Sequence, residues 1–158
     1  MMRIVHACEE DLPEILALQR LAFRSEADLL GCETIPPMVQ SLPDLVREFG
    51  EGTVLKAVSD EGVLAGAVRG FRDGETLRIG KLMVHPGFQG RGLGRRLLAA
   101  MEEECPSCRY ELFTSVASNR NLELYRSMGY EPFRETDLMP GVRLVYLAKM
   151  RNGALGLG

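Results

Sequence analysis

Residues 82–98 read Leu-Met-Val-His-Pro-Gly-Phe-Gln-Gly-Arg-Gly-Leu-Gly-Arg-Arg-Leu-Leu. An apolar strand end runs into a turn. Glycines then alternate with other residues at Gly90, Gly92 and Gly94, and a basic, leucine-rich helix follows. This order of strand, glycine loop and helix constrains the fold more than any other feature of the chain. It places several backbone N–H groups at a helix start with no Cβ in the way. Phosphate oxygens can then approach the positive end of the helix dipole. A phosphate-bearing ligand is expected at this loop.

Spacing selects among the ligands. A Walker loop needs Gly-Lys, which is absent here. The dinucleotide fingerprint Gly-x-Gly-x-x-Gly needs a third glycine where Arg95 or Leu97 stands. What remains is Gln89-x-x-Gly92-x-Gly94, preceded by Val84-His85-Pro86 and followed by Arg95-Arg96-Leu97-Leu98. This pattern resembles the acyl-CoA loop, Gln/Arg-x-x-Gly-x-Gly/Ala, of the GCN5-related N-acetyltransferases (GNAT). The resemblance implies acetyl-CoA as cosubstrate. By position it assigns cofactor contacts to Leu82, Met83, Val84, Gln89, Gly90, Arg91, Gly92, Leu93, Gly94 and Arg95. It also implies that the strand over 76–84 splays away from the strand over 110–116, leaving backbone amides free to pair with pantetheine. One such amide, near Met83 or Val84, would serve the oxyanion, a role worth a few kcal/mol at about the scale of other such donors. His85 and Pro86 read as the turn that ends the strand.

A second stretch, Asn119-Arg-Asn-Leu-Glu-Leu-Tyr-Arg-Ser-Met-Gly-Tyr130, looks like the family's segment in which Asn opens a helix and Leu-Tyr-x-x-x-Gly-Phe/Tyr closes it. There the resemblance implies that Asn119 contacts pantetheine and that Tyr125, near the CoA sulfur, acts as general acid. Read from the residues alone, Asn119 is a helix N-cap. Tyr125, with Leu122 and Leu124 beside it, is a packing residue with a satisfied hydroxyl. Gly129 stops the helix.

Elsewhere the periodicity predicts a first strand over Arg3–Ala7 and a helix capped by Asp11 that runs to about Glu26. Residues 27–40 read as irregular, because Pro36-Pro37 cannot extend a helix. Ser41 caps a second helix over 43–49, ended by Gly50 and Gly52. Strands follow over 53–59, 63–72 and 76–84, with a helix over 91–104 whose apolar positions are 93, 97, 98 and 101. A strand over 110–116, a helix over 119–128 and strands over 130–137 and 142–149 close the chain. The order β-α-α-β-β-β-α-β-α-β-β is that of the GNAT fold. The fold class is therefore α/β (α+β), with a central mixed, mostly antiparallel sheet and helices on both faces. A single domain is expected over 3–149, and a disordered Gly-rich tail over 150–158.

The 158 residues suit one core. A net charge of −3, from 22 acidic against 19 basic residues, excludes a nucleic-acid-binding face, while Arg91, Arg95 and Arg96 suit a small polyanion. No apolar run reaches the roughly 18 residues of a membrane span. The N-terminal residues have no signal-peptide pattern, so a cytoplasmic protein is expected. Cys8, Cys32, Cys105 and Cys108 then read as free thiols. Cys105-Pro-Ser-Cys108 has the spacing of half a zinc site but lacks two further ligands, and is read as a helix-to-strand connection with no metal.

The resemblance implies direct attack of a primary amine on the thioester within a ternary complex. An alkylamine of pKa about 10.4 must lose a proton first. No acid lies between Thr76 and Val84, so Glu26, Asp28, Glu33, Glu75 or a water is the expected base. The acceptor is a small amine, a peptide N-terminus or a protein lysine. The segment 24–40, with Glu26, Asp28 and Glu33 against Arg24, favours a cationic one. A non-catalytic acyl-CoA-binding or regulatory domain is the alternative. Transfer to oxygen or of longer acyl groups stays open, and so does a homodimer.

Overall fold

The computed structural model describes residues 1–151. Seven strands form one sheet: β1 (Arg3–His6), β2 (Thr53–Val58), β3 (Leu64–Asp73), β4 (Thr76–Val84), β5 (Arg109–Ser115), β6 (Glu131–Met139) and β7 (Val142–Met150). Their spatial order is β1-β2-β3-β4-β5-β7-β6. Every neighbouring pair is antiparallel except β4 and β5. The helices are α1 (Leu12–Ala22), α2 (Arg24–Leu30), α3 (Pro36–Val39), α4 (Leu42–Glu51), α5 (Leu93–Glu104) and α6 (Asn119–Ser127).

Two cores lie on opposite faces of the sheet. Leu12, Ile15 and Leu16 of α1 and Leu45 of α4 pack with Val54, Ala67 and Met83. Leu97, Leu98 and Met101 of α5 and Tyr125 of α6 pack with Leu55, Val68, Leu77 and Ile79. Successive residues, Val54 and Leu55 or Ala67 and Val68, thus enter different cores, as the period of a strand requires. The predicted apolar positions of α5, 93, 97, 98 and 101, are all buried.

The first helical region departs from the sequence reading. The expected helix to Glu26 ends at Ala22, and α2 restarts at Arg24. The expected irregular stretch contains the rest of α2 and all of α3. Pro36 and Pro37 open α3, where a missing N–H costs nothing. Asp11 makes no side-chain cap to α1. Its carboxylate accepts the Cys8 N–H at 2.8 Å and pairs with Lys56 Nζ at 2.9 Å instead. Ser41 does cap α4, its Oγ accepting the Asp44 N–H at 3.2 Å, but Gly50 lies inside that helix and only Gly52 follows it. Asn119 is the first residue of α6, and Ser118 holds the N-cap position. Met150, expected in the tail, is the last residue of β7 and pairs with Arg109. Arg151 follows the strand, and residues 152–158 of the expected tail lie outside the described residues.

The parallel pair is short. β4 pairs with β5 over Thr76–Arg78 against Arg109–Glu111 only, while β5 continues along β7 as far as Ser115. The expected splay is present. On its other side β4 carries a bulge: between the pairs Ala67↔Met83 and Arg69↔Gly80, Lys81 and Leu82 stand opposite Val68. Lys81 adopts φ +50°, which only a few per cent of non-glycine residues do.

Glycine brings α5 close to the sheet. A Cβ on Gly66 would lie 2.8 Å from Leu97 Cδ1 and 2.8 Å from the Met83 carbonyl oxygen. The backbone oxygen cannot swing aside. Gly66→Ala is expected to destabilise the fold by about 1–3 kcal/mol, the range of core overpacking, as read by denaturant unfolding.

Candidate active site

The splay opens into a cavity of about 570 Å³. The end of β4 gives it Leu82, Met83 and Val84. The loop gives Gln89, Gly90 and Gly92, the first turn of α5 gives Leu93, Gly94 and Arg95, and α6 gives Asn119. The structure thus brings the sequence-predicted contacts together, with two exceptions. Arg91 turns its guanidinium over the Phe88 ring, 5.4 Å from the centroid, and does not line the cavity. Tyr125 lines a second, neighbouring cavity.

Local sequence explains the loop. Gly90 and Gly92 have φ of +78° and +75°, with open space where a Cβ would stand. They are needed for backbone conformation, not for room. Gly94 is different: a Cβ there would make ordinary contact with Leu124 at 3.5 Å. Gly92 is the N-cap of α5 and supplies no side-chain cap. The first intrahelical bond is Arg96 N–H to the Gly92 carbonyl, so the N–H groups of Leu93, Gly94 and Arg95 remain available at the cavity wall. His85 has the expected turn role, its Nδ1 accepting the Gly87 N–H at 2.9 Å.

The expected arginine cluster is dispersed. Arg95 donates to Ser127 Oγ at 2.7 Å and Arg96 to the Met2 carbonyl at 3.1 Å. Arg120, which the sequence reading missed, donates to Gln89 Oε1 at 3.0 Å and ties the start of α6 to the loop. The loop thus presents backbone amides rather than a cluster of guanidinium groups.

The second cavity, about 240 Å³, crosses the splay and is lined by Tyr125, Glu26, Asn121, Thr114 and Lys81, among others. Tyr125 is buried in the same core as Leu98, its ring 6.2 Å from that of Tyr130, and among the described residues its hydroxyl makes no hydrogen bond. Burial first, and the Glu26 charge second, hold its pKa well above the ordinary tyrosine value, so it is protonated at neutral pH. Burial likewise raises the Glu26 carboxyl, against an opposing hydrogen bond from Asn121. Asn121 Nδ2 in turn donates to Thr114 Oγ1 at 3.1 Å. Asn121 was legible only as a second asparagine in the same first turn.

The candidate bases separate cleanly. Glu26 faces the cavity. Asp28 is exposed on α2, and Glu33 is exposed and pairs with Arg24 at 2.8 Å. Glu75 sits in the β3–β4 turn, at the end of β4 that is still paired with β5. All four cysteines are free thiols, with Cys105 and Cys108 in the α5–β5 connection. No helix among the described residues is long and apolar enough to cross a membrane.

The model of the acetyltransferase (GNAT) family matches residues 13–130. The chain belongs to the GNAT family of acetyltransferases. Acetyltransferase YE1169 of Yersinia enterocolitica is 26% identical over 120 residues, which are 72% of this chain and 82% of that protein. UPF0157 protein YqkA of Bacillus subtilis is 24% identical over 132 residues, 83% of this chain. The matched part is only 38% of YqkA's own length. Among solved structures, the ribosomal-protein-S18-alanine N-acetyltransferase of Escherichia coli superposes with a TM-score of 0.78 at 17% identity, over 95% of this chain and 94% of that one. The PaiA N-acetyltransferase of Thermoplasma acidophilum, solved with coenzyme A, gives 0.78 at 15% identity, over 96% and 99%. At these identities the structural likeness is one of fold.

The raised pKa of Glu26 has a measurable consequence in this GNAT domain. The folded protein keeps that proton at pH values where the unfolded chain has released it. The group's contribution to stability is therefore most favourable below its ordinary value of 4.5 and falls as pH rises toward the raised one. Glu26→Gln cannot ionise. It is expected to flatten this decline, gaining stability over the parent at about pH 7 but not at about pH 4, in urea unfolding at both values.

Proposed function

We propose that the chain moves an acetyl group from acetyl-CoA to a primary amine by direct attack within a ternary complex. The observation that carries this reading is the open wedge between β4 and β5. Free amides and a helix N-terminus line one side of it, and a buried tyrosine, Tyr125, and a half-buried carboxylate, Glu26, line the other. The donor chemistry fits: the N–H groups of residues 93–95 suit a pyrophosphate, and the unpaired edge of β4 from Leu82 to Val84 suits the amides of a pantetheine arm. Bound acetyl-CoA supplies the activated acyl group.

The protein's own groups do the rest. The β4 edge and the Gly90–Gly94 loop fix the thioester against the wedge, which replaces an encounter by a held geometry. A β4 amide near Met83 or Val84 offers a hydrogen bond to the thioester oxygen. Glu26, directly or through a water, takes the proton that the ammonium must lose. Tyr125 donates a hydrogen bond toward the leaving sulfur. Asn119, on the cavity wall at the start of α6, supports the arm of the cosubstrate. No step in this sequence asks for a metal. The second cavity accepts a small amine or the end of a peptide N-terminus or lysine side chain. A reducing, cytoplasmic setting agrees with the four free thiols.

Two measurements test the reading. Gly92→Ala forces a Cβ onto a left-handed residue, at about 1–2 kcal/mol. It is expected to weaken acetyl-CoA binding about tenfold in calorimetric titration, the affinity equivalent of that energy. ADP, which lacks the pantetheine arm, should bind more weakly than acetyl-CoA to the parent. Tyr125→Phe removes a hydroxyl that has no hydrogen-bond partner among the described residues, so folding should survive. Its kcat for thiol release with an amine panel is expected to fall about 100-fold, the lower range for a positioned proton donor, with acetyl-CoA affinity unchanged. An unaltered kcat would remove Tyr125 from the mechanism. Tight acetyl-CoA binding without thiol release for any amine would favour the acyl-CoA-binding domain instead.

A further inference from the structure

A buried and a half-buried cation on the α4 side of the splay have no part in the steps proposed above. Arg69, in the middle of β3, is 7% exposed. Its Nη2 donates to Gln19 Oε1 at 2.7 Å, but its Nε and Nη1 are buried without a hydrogen-bond partner. Nη1 lies 3.5 Å from Glu48 Oε1. Lys81 stands beside it on the β4 bulge, in the left-handed conformation already described. Its neighbouring charges are Glu48, Arg69 and Asp44, and Asp44 already pairs with Arg47. The lysine ion pairs of the described residues are those of Lys56 and Lys149.

Arg69, Lys81 and Glu48 line a cavity of about 640 Å³, which shares Gly80, Lys81 and Tyr146 with the cavity of Tyr125 and Glu26. Arg69 and Lys81 therefore share Glu48 as a neighbouring carboxylate. Burial lowers the pKa of both cations, so the site holds its charge at a cost. A desolvated guanidinium with free N–H groups is unfavourable until an anion or acceptor completes it. Arg69 Nη1, which lacks a hydrogen-bond partner, and the Lys81 ammonium are donors that a carboxylate can join, and across the lining Arg47, Arg69, Arg78, Lys81 and Arg134 outnumber Glu48, Glu51 and Glu111, an excess that suits an anion. The wall beyond is aromatic, with Phe71, Phe113 and Phe133 about half exposed.

We propose that the acceptor is an amine that also carries a carboxylate, which docks between Arg69 and Lys81 while its amine points through the splay toward Glu26. The acceptor is thus an amino-acid-like zwitterion with an apolar body. This rests on the acetyl-transfer reading for the direction of the amine, but the anion site can be tested without turnover.

Calorimetric titration of the full chain would compare the N-acetyl derivatives of glycine, leucine, phenylalanine and glutamate with their uncharged amides. At least one acid is expected to bind about tenfold or more tightly than its amide, the size of one charge-assisted contact. Lys81→Gln should abolish the difference. Glu48→Gln, which removes the competing carboxylate, should tighten the acid severalfold. Opposite signs in these two variants are not what loss of folding produces, and unfolding curves for both confirm that they are native. Equal affinity for acid and amide across the set, or no binding of either, overturns the proposal. So does acid affinity that Lys81→Gln leaves unmoved or Glu48→Gln weakens. Acetyl-CoA is titrated in parallel. Its failure to bind, with the acid preference intact, would sink the acetyl-transfer reading and leave the anion site standing.

Discussion

The backbone ladder between β4 and β5 stops after three residues on each strand, and the rest of the molecule is arranged around that stop. In a continuous sheet the N–H and C=O groups from Ile79 onward would be paired. Here they face a wedge, where burial without partners is costly and a ligand or water must complete them. The wedge is held open from both sides. On one, α6 inserts Tyr125 against Leu98 and Tyr130. On the other, the bulge at Lys81 and Leu82 turns the strand. The next element along the chain, the glycine loop, then delivers the start of α5 to the mouth of the same wedge.

What was legible in the sequence followed from local rules. Gly90 and Gly92 need a left-handed backbone, the spacing 93, 97, 98 and 101 gives one helix face, and the hairpin strands alternate, so loop, helix and sheet could be read without tertiary knowledge. The errors came where two local rules competed. Pro36-Pro37 reads as a breaker, but proline also opens helices, and α3 begins there. Asp11 and Asn119 have the chemistry of caps, yet Lys56 and Cys8 hold the first, and the second falls one residue inside its helix. The arginines after the loop looked like a phosphate cluster because sequence shows charge and not direction. Arg95 and Arg96 point to Ser127 and Met2.

The site was legible in part. The loop contacts were placed by motif, and the splay by the family resemblance. The choice among four carboxylates was not, since Glu26 differs from Asp28 and Glu33 only by the side of α2 or of the following loop on which it falls. Arg69 and Lys81 did leave a signal. Arg69 follows the apolar run Leu64–Val68 of β3 and Lys81 precedes the apolar run Leu82–Val84 of β4, and a charge against such a run needs a partner or a function. The sequence shows that demand; only the fold shows that both cations neighbour the same carboxylate, Glu48.

The charges around the wedge also bear on how protons are handled. Tyr125 is held above its ordinary pKa, whereas a thiol ionises near about 8.5. Full transfer of the phenolic proton to a thiolate would therefore run uphill. A hydrogen bond from the hydroxyl to the sulfur, strengthening as charge gathers there, has no such penalty and is stronger for being buried. Glu26 sits in the same cavity with its own pKa raised, which makes its carboxylate a better base than an exposed one. Its negative charge opposes ionisation of Tyr125 and keeps the donor protonated. The proposed base thus helps to keep the proposed hydrogen-bond donor protonated, and a substrate ammonium entering beside Glu26 would relax both shifts at once.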